Sequence, residues 1–178
     1  MKKAFCVALL GALAVGIYRF HGKIFTKPGG EVALIDEAAN PIRLPSLEGQ
    51  TYDLENYRGK VVVLEVWATW CEECVAFLDK VEQLHQNYKA RDVVVLTLNL
   101  DGLSQGMSPS ELREFVAERG LTVPVMLMDE GTQAAFASGN TIQVPQVRVY
   151  DRNLRVRYKS IGASATQVES VLNQLLEQ

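Results

Sequence analysis

Apolar residues crowd residues 60–66, and β-branched side chains make up most of that run. Such a stretch suits a strand covered on both faces, where no alternate position has to meet water. The period then changes. Val75, Leu78, Val81, Leu84 and Tyr88 recur mostly at three- and four-residue steps, the stripe of an amphipathic helix. A second buried strand is predicted over 93–98. Ser108-Pro109-Ser110-Glu111 then opens a helix, with Ser108 as N-cap, Pro109 at the first helical position, Glu111 closing a capping box and Gly120 at the end. Residues 123–128 read as a third strand, 131–138 as a short helix, and 147–150 with 155–161 as a closing hairpin turned at Asp151-Arg152-Asn153. A terminal amphipathic helix follows over 166–176. Ahead of the central strand, alternation through 42–44 and 51–54 around Glu48-Gly49 predicts a hairpin. Strands alternating with helices before an antiparallel hairpin predict an α/β fold, a central mixed sheet with helices on both faces.

The first residues follow another logic. Lys2 and Lys3 precede an uncharged, mostly apolar run over 4–18, and Arg19, His21, Lys23 and Lys27 follow it. This is the pattern of an export signal. As a helix the run reaches roughly 22 Å at 1.5 Å per residue, short of a hydrocarbon core of about 30 Å, although flanking cations can snorkel outward. Residues 1–25 are therefore read as a signal peptide, with Ala12-Leu13-Ala14 as its cleavage site, or as an uncleaved anchor in the inner membrane through 4–18, the reading favoured. Pro28-Gly29-Gly30 interrupts any continuing helix, so 26–40 reads as a tether and 41–178 as the folded domain, held outside the cytoplasm, in the periplasm. Cys6, inside the apolar run, is a small apolar filler on this reading.

With 178 residues, 48% of them hydrophobic, the chain can bury the core of one ordinary domain. Charged residues make up 22% with both signs interleaved and a net charge of -3, so no basic stripe is present to track nucleic acid. Three cysteines are too few for a disulfide scaffold, and two of them form one C-x-x-C, Cys71 and Cys74. That pair sits where the central strand gives way to its helix. A helix amino terminus offers unpaired N–H groups and partial positive charge to a thiolate, so Cys71 is the better nucleophile. Cys74, one turn further in, is placed to resolve a mixed disulfide. A metal site would want a second pair of ligands; the histidines are His21 and His85, and no second C-x-x-C occurs, so neither metal nor cofactor is expected. The plain alternative is a structural cysteine pair with no redox role.

Trp67-Ala68-Thr69-Trp70-Cys71-Glu72-Glu73-Cys74 resembles the active-site turn of the thioredoxin superfamily, in particular its membrane-tethered TlpA/ResA-like thiol-disulfide oxidoreductases. The stretch 44–71 is similar to that branch's amino-terminal hairpin and first central strand, 99–128 to its central insert, and Ile142-Gln143-Val144-Pro145-Gln146-Val147 to its valine-proline loop. The resemblance covers 41–178 and implies a thioredoxin-like fold and a protein-disulfide oxidoreductase. It makes Pro145 a cis-proline facing the cysteine pair, Val144 the backbone that pairs with an extended substrate segment, and Trp70 a wall of the site. Glu65 falls six residues before Cys71, where thioredoxin carries a buried aspartate that shuttles the proton of the second cysteine and many tethered members carry asparagine. A buried carboxylate there suits proton transfer near neutrality; the alternative is an acid at a strand end whose carboxylate reaches solvent. The implied partners are a disulfide-bearing protein substrate, such as an apocytochrome c or another periplasmic client, and a membrane electron donor that re-reduces the pair.

The chain departs from the family between its cysteines. Where relatives often carry proline before the second cysteine, this one has Glu73, and Glu72 precedes it. Both carboxylates compete with the Cys71 thiolate for the positive helix end, which makes the disulfide harder to reduce and the protein a reductant. They also stabilise the helix as first-turn acids whatever the redox role. Two rivals remain. A peroxiredoxin would carry threonine or serine three residues before its reactive cysteine and proline four before that, where this chain has Ala68 and Leu64. A copper or thiol chaperone of this fold spaces its cysteines with three intervening residues and adds a later histidine, whereas this chain has two between its cysteines and no histidine after His85.

Overall fold

A computed structural model describes residues 32–104 and 106–178. The segment expected as signal or anchor, with Cys6 and the apolar run 4–18, lies outside the described residues. Among the described residues no helix is long and apolar enough to cross a membrane. The elements in order are β1 (Glu37–Ala38), β2 (Arg43–Pro45), β3 (Thr51–Asp53), β4 (Val61–Trp67), α1 (Glu72–Tyr88), β5 (Val93–Asn99), α2 (Pro109–Glu118), β6 (Val125–Leu127), α3 (Glu130–Phe136), β7 (Gln146–Tyr150), β8 (Arg155–Ile161) and α4 (Ala165–Leu176). Six strands form one sheet in the order β1-β8-β7-β4-β5-β6, and β2-β3 is a separate hairpin. β4, β5 and β6 run parallel, whereas β7 opposes β4 and β8 opposes β7, so the sheet is mixed.

β4 lies at the centre, and all seven of its residues are buried. Its alternate side chains feed two cores. Val61 and Val63 meet Phe77, Val81 and Leu84 of α1 and Val168, Val171 and Leu172 of α4. Val62, Leu64 and Val66 pack on the opposite side with Leu96, Leu98, Met126, Phe136 of α3 and Leu44 of the hairpin. A third cluster joins Trp67 and Leu78 to Leu112 and Val116 of α2, with the Trp67 ring 6.0 Å from Phe115. Helices thus cover both faces of a thioredoxin-like sheet. The predominance of apolar residues in β4 follows from this double coverage, since neither of its faces meets water.

Several boundaries differ from the sequence reading, most by a residue or two, and two of the differences have a clear cause. Residues 32–40, expected as tether, belong to the fold: β1 pairs with β8, the Ile35 N–H donates to the Arg157 carbonyl at 2.9 Å, and Val32 is buried in the first core. The third strand is shorter than 123–128 and begins only after Pro124. That proline has no N–H to give the ladder, while its carbonyl accepts from both the backbone N–H of Thr97 (2.9 Å) and its hydroxyl (3.2 Å). The start of α2 is as expected, with Ser108 and Glu111 forming a reciprocal capping box.

Candidate active site

β4 delivers the chain to a short turn, Ala68 to Trp70, and α1 begins immediately after it. Cys71 is the N-cap, in extended conformation, and its Sγ accepts the backbone N–H of Cys74 at 3.2 Å. The two cysteines are joined by a disulfide with a Cα–Cα separation of 5.2 Å. Their exposures differ: Cys71 is partly exposed, and Cys74 is fully buried against Trp67 and Leu78. An incoming reagent therefore meets Cys71 first, and the helix-end N–H that touches its sulfur is poised to hold a thiolate there. Glu72 and Glu73 stand exposed in the first turn of the helix.

Val144 and Cys71 pack on the same apolar cluster, which brings the valine-proline loop to the cysteine pair. The Val144–Pro145 peptide is cis, and β7 starts with the next residue. The Pro145 carbonyl accepts the Gly162 N–H at 2.8 Å, and the Ala163 N–H donates to Glu73 Oε1 at 3.4 Å. Glu73 so links the cysteine helix to the loop behind the proline. Trp70 is 53% exposed beside Cys71, with its indole N–H donating to Ser104 Oγ at 2.8 Å.

Glu65 is fully buried in β4, and neither carboxylate oxygen has a hydrogen-bond partner. It shares a sheet face with Val63 and Trp67, the side covered by α1, because alternate strand residues point the same way. Thr97 and Val147 flank it in register. Burial pushes its carboxyl well above the usual carboxylate range. The alternative of an acid reaching solvent at a strand end does not hold.

A family model described as Redoxin matches residues 35–176. The chain belongs to the Redoxin family. Among curated proteins, this redoxin is 29% identical over 177 residues to the thiol-disulfide oxidoreductase ResA of Geobacillus thermodenitrificans, covering 99% of this chain and 93% of the relative. It is 26% identical over 172 residues to the thioredoxin-like protein YneN of Bacillus subtilis, covering 96% and 92%. Among solved structures it is similar in fold to a secreted thiol-disulfide isomerase from Corynebacterium glutamicum, with a TM-score of 0.70 and 22% identity over 88% of this chain and 99% of the other. A DsbF homologue from Corynebacterium diphtheriae gives a TM-score of 0.69 and 24% identity over 90% and 100%.

The redoxin's site also uses residues that sequence reasoning passed over. Asp101, at the carboxyl end of β5, is 2% exposed, and its Oδ1 accepts the Thr69 N–H at 3.0 Å, pinning the turn that carries Cys71. Its own N–H donates to Asn99 Oδ1 at 2.9 Å. Gly106 folds over this acid so closely that a Cβ at that position would collide with the Asp101 carboxyl group. The available signal was positional, since sites in sheets of this kind gather at the carboxyl ends of adjacent parallel strands. Gly106→Ala is accordingly expected to displace Asp101 and lower stability by about 1–3 kcal/mol, read as a drop in unfolding midpoint. An unchanged midpoint would refute the close-packing account.

Proposed function

We propose that this thiol-disulfide oxidoreductase works as a reductant outside the cytoplasm, tethered to the inner membrane through residues 4–18. The observation that carries the chemistry is the Cys71–Cys74 disulfide at the amino end of α1, with its outer sulfur partly exposed and its inner sulfur buried. In the reduced protein the Cys71 thiolate attacks one sulfur of a partner's disulfide. A bond forms between Cys71 and that sulfur, and the partner's other sulfur leaves as a thiolate. The Cys74 thiol then gives its proton to the Glu65 carboxylate and attacks Cys71, closing the internal disulfide and releasing the partner's second sulfur. Two electrons have passed to the partner. Glu65 returns the proton to a departing thiolate, and its raised pKa brings it towards the thiol range, where proton exchange is most nearly balanced. Val144 and Pro145 present the backbone on which the partner segment lies, with Trp70 as the opposite wall. A membrane thiol-disulfide carrier supplies the electrons that reopen the Cys71–Cys74 bond.

Support for the location comes from the charged and apolar pattern of residues 1–27 and from the secreted neighbour of C. glutamicum. Support for the direction comes from Glu72 and Glu73, which bring negative charge to the helix end that must hold the thiolate. Equilibration with glutathione tests it. The protein should be more reducing than the roughly -120 mV typical of a strong disulfide oxidant, and a value near that figure would reverse the assignment. Replacing Glu73 should raise the potential by about 30 mV or more, a tenfold change in equilibrium constant. Glu73→Pro removes the charge and the bond to Ala163 together, whereas Glu73→Gln removes the charge and keeps an acceptor. If only the proline variant shifts, the loop contact and not the charge sets the potential.

A further inference from the structure

β7 alternates small apolar residues with Gln146, Arg148 and Tyr150, yet Arg148 is only 9% exposed. Its Nε donates to Gln146 Oε1 at 3.1 Å, its Nη2 donates to the Ala135 carbonyl at 2.6 Å, and the guanidinium stacks 4.1 Å from the Phe136 ring centre. Gln146 in turn donates to the Phe136 carbonyl at 3.1 Å. Capping the last carbonyls of α3 accounts for these bonds, as cations at helix ends commonly do. It leaves the charge unanswered. Among the described residues no carboxylate forms an ion pair with Arg148; the buried Tyr150 hydroxyl also faces the guanidinium, and its five N–H donors still exceed these contacts.

The guanidinium lines a surface cavity of about 300 Å³, with Phe136, Ser138, Lys159 and Ile161. Lys159 stands opposite Arg148 in the ladder, its ammonium held by Glu37 at 2.6 Å, so these three groups leave the cavity net positive. The cavity adjoins the cysteine site. Gln146 follows the cis-proline directly, Ile161 faces Gln146 across β8, and the next N–H, of Gly162, bonds the Pro145 carbonyl. Two large hydrophobic side chains stand exposed among the described residues, Trp70 beside Cys71 and Ile161 on the cavity rim at 56%. Ile161 thus offers an apolar edge to the cavity at its junction with the proline loop.

We propose that this cavity binds a carboxylate of the disulfide-bearing partner, so that Arg148 favours clients with a negative charge close to the reacting cysteine. Val144 and Arg148 are four residues apart, roughly 13 Å of extended chain at 3.3 Å per residue. β4 and β8 occupy both edges of β7, so a client segment pairs at Val144 alone and then crosses over Ile161, covering that span in about four extended residues from its cysteine. The guanidinium fork matches a carboxylate in two-pronged geometry, and Ile161 supplies apolar contact beside it. The inference rests on the oxidoreductase reading above.

The test uses the reduced full-length protein and peptides carrying the same neutral mixed disulfide. One peptide has an internal glutamate four residues from its cysteine and blocked ends, the second has glutamine there, and the third is the glutamine peptide ending there in a free carboxyl terminus. A carboxylate peptide should react about tenfold faster than the neutral one, the scale of one charge-assisted contact. Which of the two gains identifies the carboxylate as side chain or chain end. In Arg148→Gln the ratio should fall to about one. Because Arg148 also caps α3, Ile161→Glu on the exposed rim provides a second probe: its own carboxylate competes for the cavity and should erase the same preference. Equal rates in the wild type, or a preference that survives in either folded variant, would overturn the proposal. Failure of the wild type to react with any of the peptides would instead remove the oxidoreductase reading itself.

Discussion

A Cys74→Ser variant is expected to accumulate covalent complexes with its clients, while Cys71→Ser forms none and loses turnover by on the order of 10³-fold or more. The asymmetry follows from the two exposures. Cys71 is partly open to solvent, whereas Cys74 is sealed beneath α1 against Trp67 and Leu78. A reagent approaching from outside therefore bonds to the outer sulfur, and the inner one acts only after the complex has formed. Non-reducing gels of the two variants, followed by mass spectrometry of the trapped partners, read the outcome. Complexes gathered on Cys71→Ser and absent from Cys74→Ser would invert the assigned roles. The same experiment names the clients, which the fold alone does not distinguish.

Glu65→Gln should have the next largest effect, on two observables of opposite sign. In the resolving step the amide cannot accept the Cys74 proton, so closure of the internal disulfide should slow by about 100-fold, the usual scale of a lost general base. The delay would appear as a transient mixed disulfide in the fluorescence of neighbouring Trp70. Stability should move the other way. Burial raises the Glu65 pKa in the folded protein, while the unfolded chain titrates in the ordinary glutamate range. The folded state therefore holds a proton that the unfolded chain gives up sooner. The stability this provides is complete below the ordinary range and is lost as pH rises through the folded-state pKa. Glutamine has no such dependence. Urea unfolding of the oxidised proteins should show similar stability near pH 4, and a variant more stable than wild type by about 2 kcal/mol near pH 9. Parallel curves across that range would mean that Glu65 finds a partner on ionising, and the proton-transfer role would fall with it.

Much of the architecture was legible because it is written locally. β4 and β5 appear as largely apolar runs, α2 announces its start through Ser108 and Glu111, and the hairpin turn at Asp151-Arg152-Asn153 joins β7 to β8 as expected. The cysteine pair stood out for a similar reason, two rare residues at fixed spacing, whereas Pro145 was marked by the resemblance of its loop. What escaped depends on distant partners. Residues 32–38 show no strong period, and their place in the sheet comes from β8; Arg157 Nε donates to the Ile35 carbonyl from 122 residues away. Asp101 carries no local signal, and only the parallel register of β4 and β5 places it where its carboxylate meets the Thr69 N–H. Arg148 sits where alternation alone would point it towards water, and only the arrival of α3 covers it. Glu65 is the intermediate case: its position gave a reason for burial, but only the packing of α1 over that face decided between a sealed carboxylate and one reaching solvent.

The sheet ends on one side in the two residues of β1 and on the other in the three of β6, which the β2-β3 hairpin already touches through the Ser46–Met126 bridge. A protein that handles disulfide-bearing chains is exposed to capture by any unsatisfied strand they present. Margins this brief give a stray strand too few rungs to hold on, so clumping with its own clientele is discouraged by shape alone.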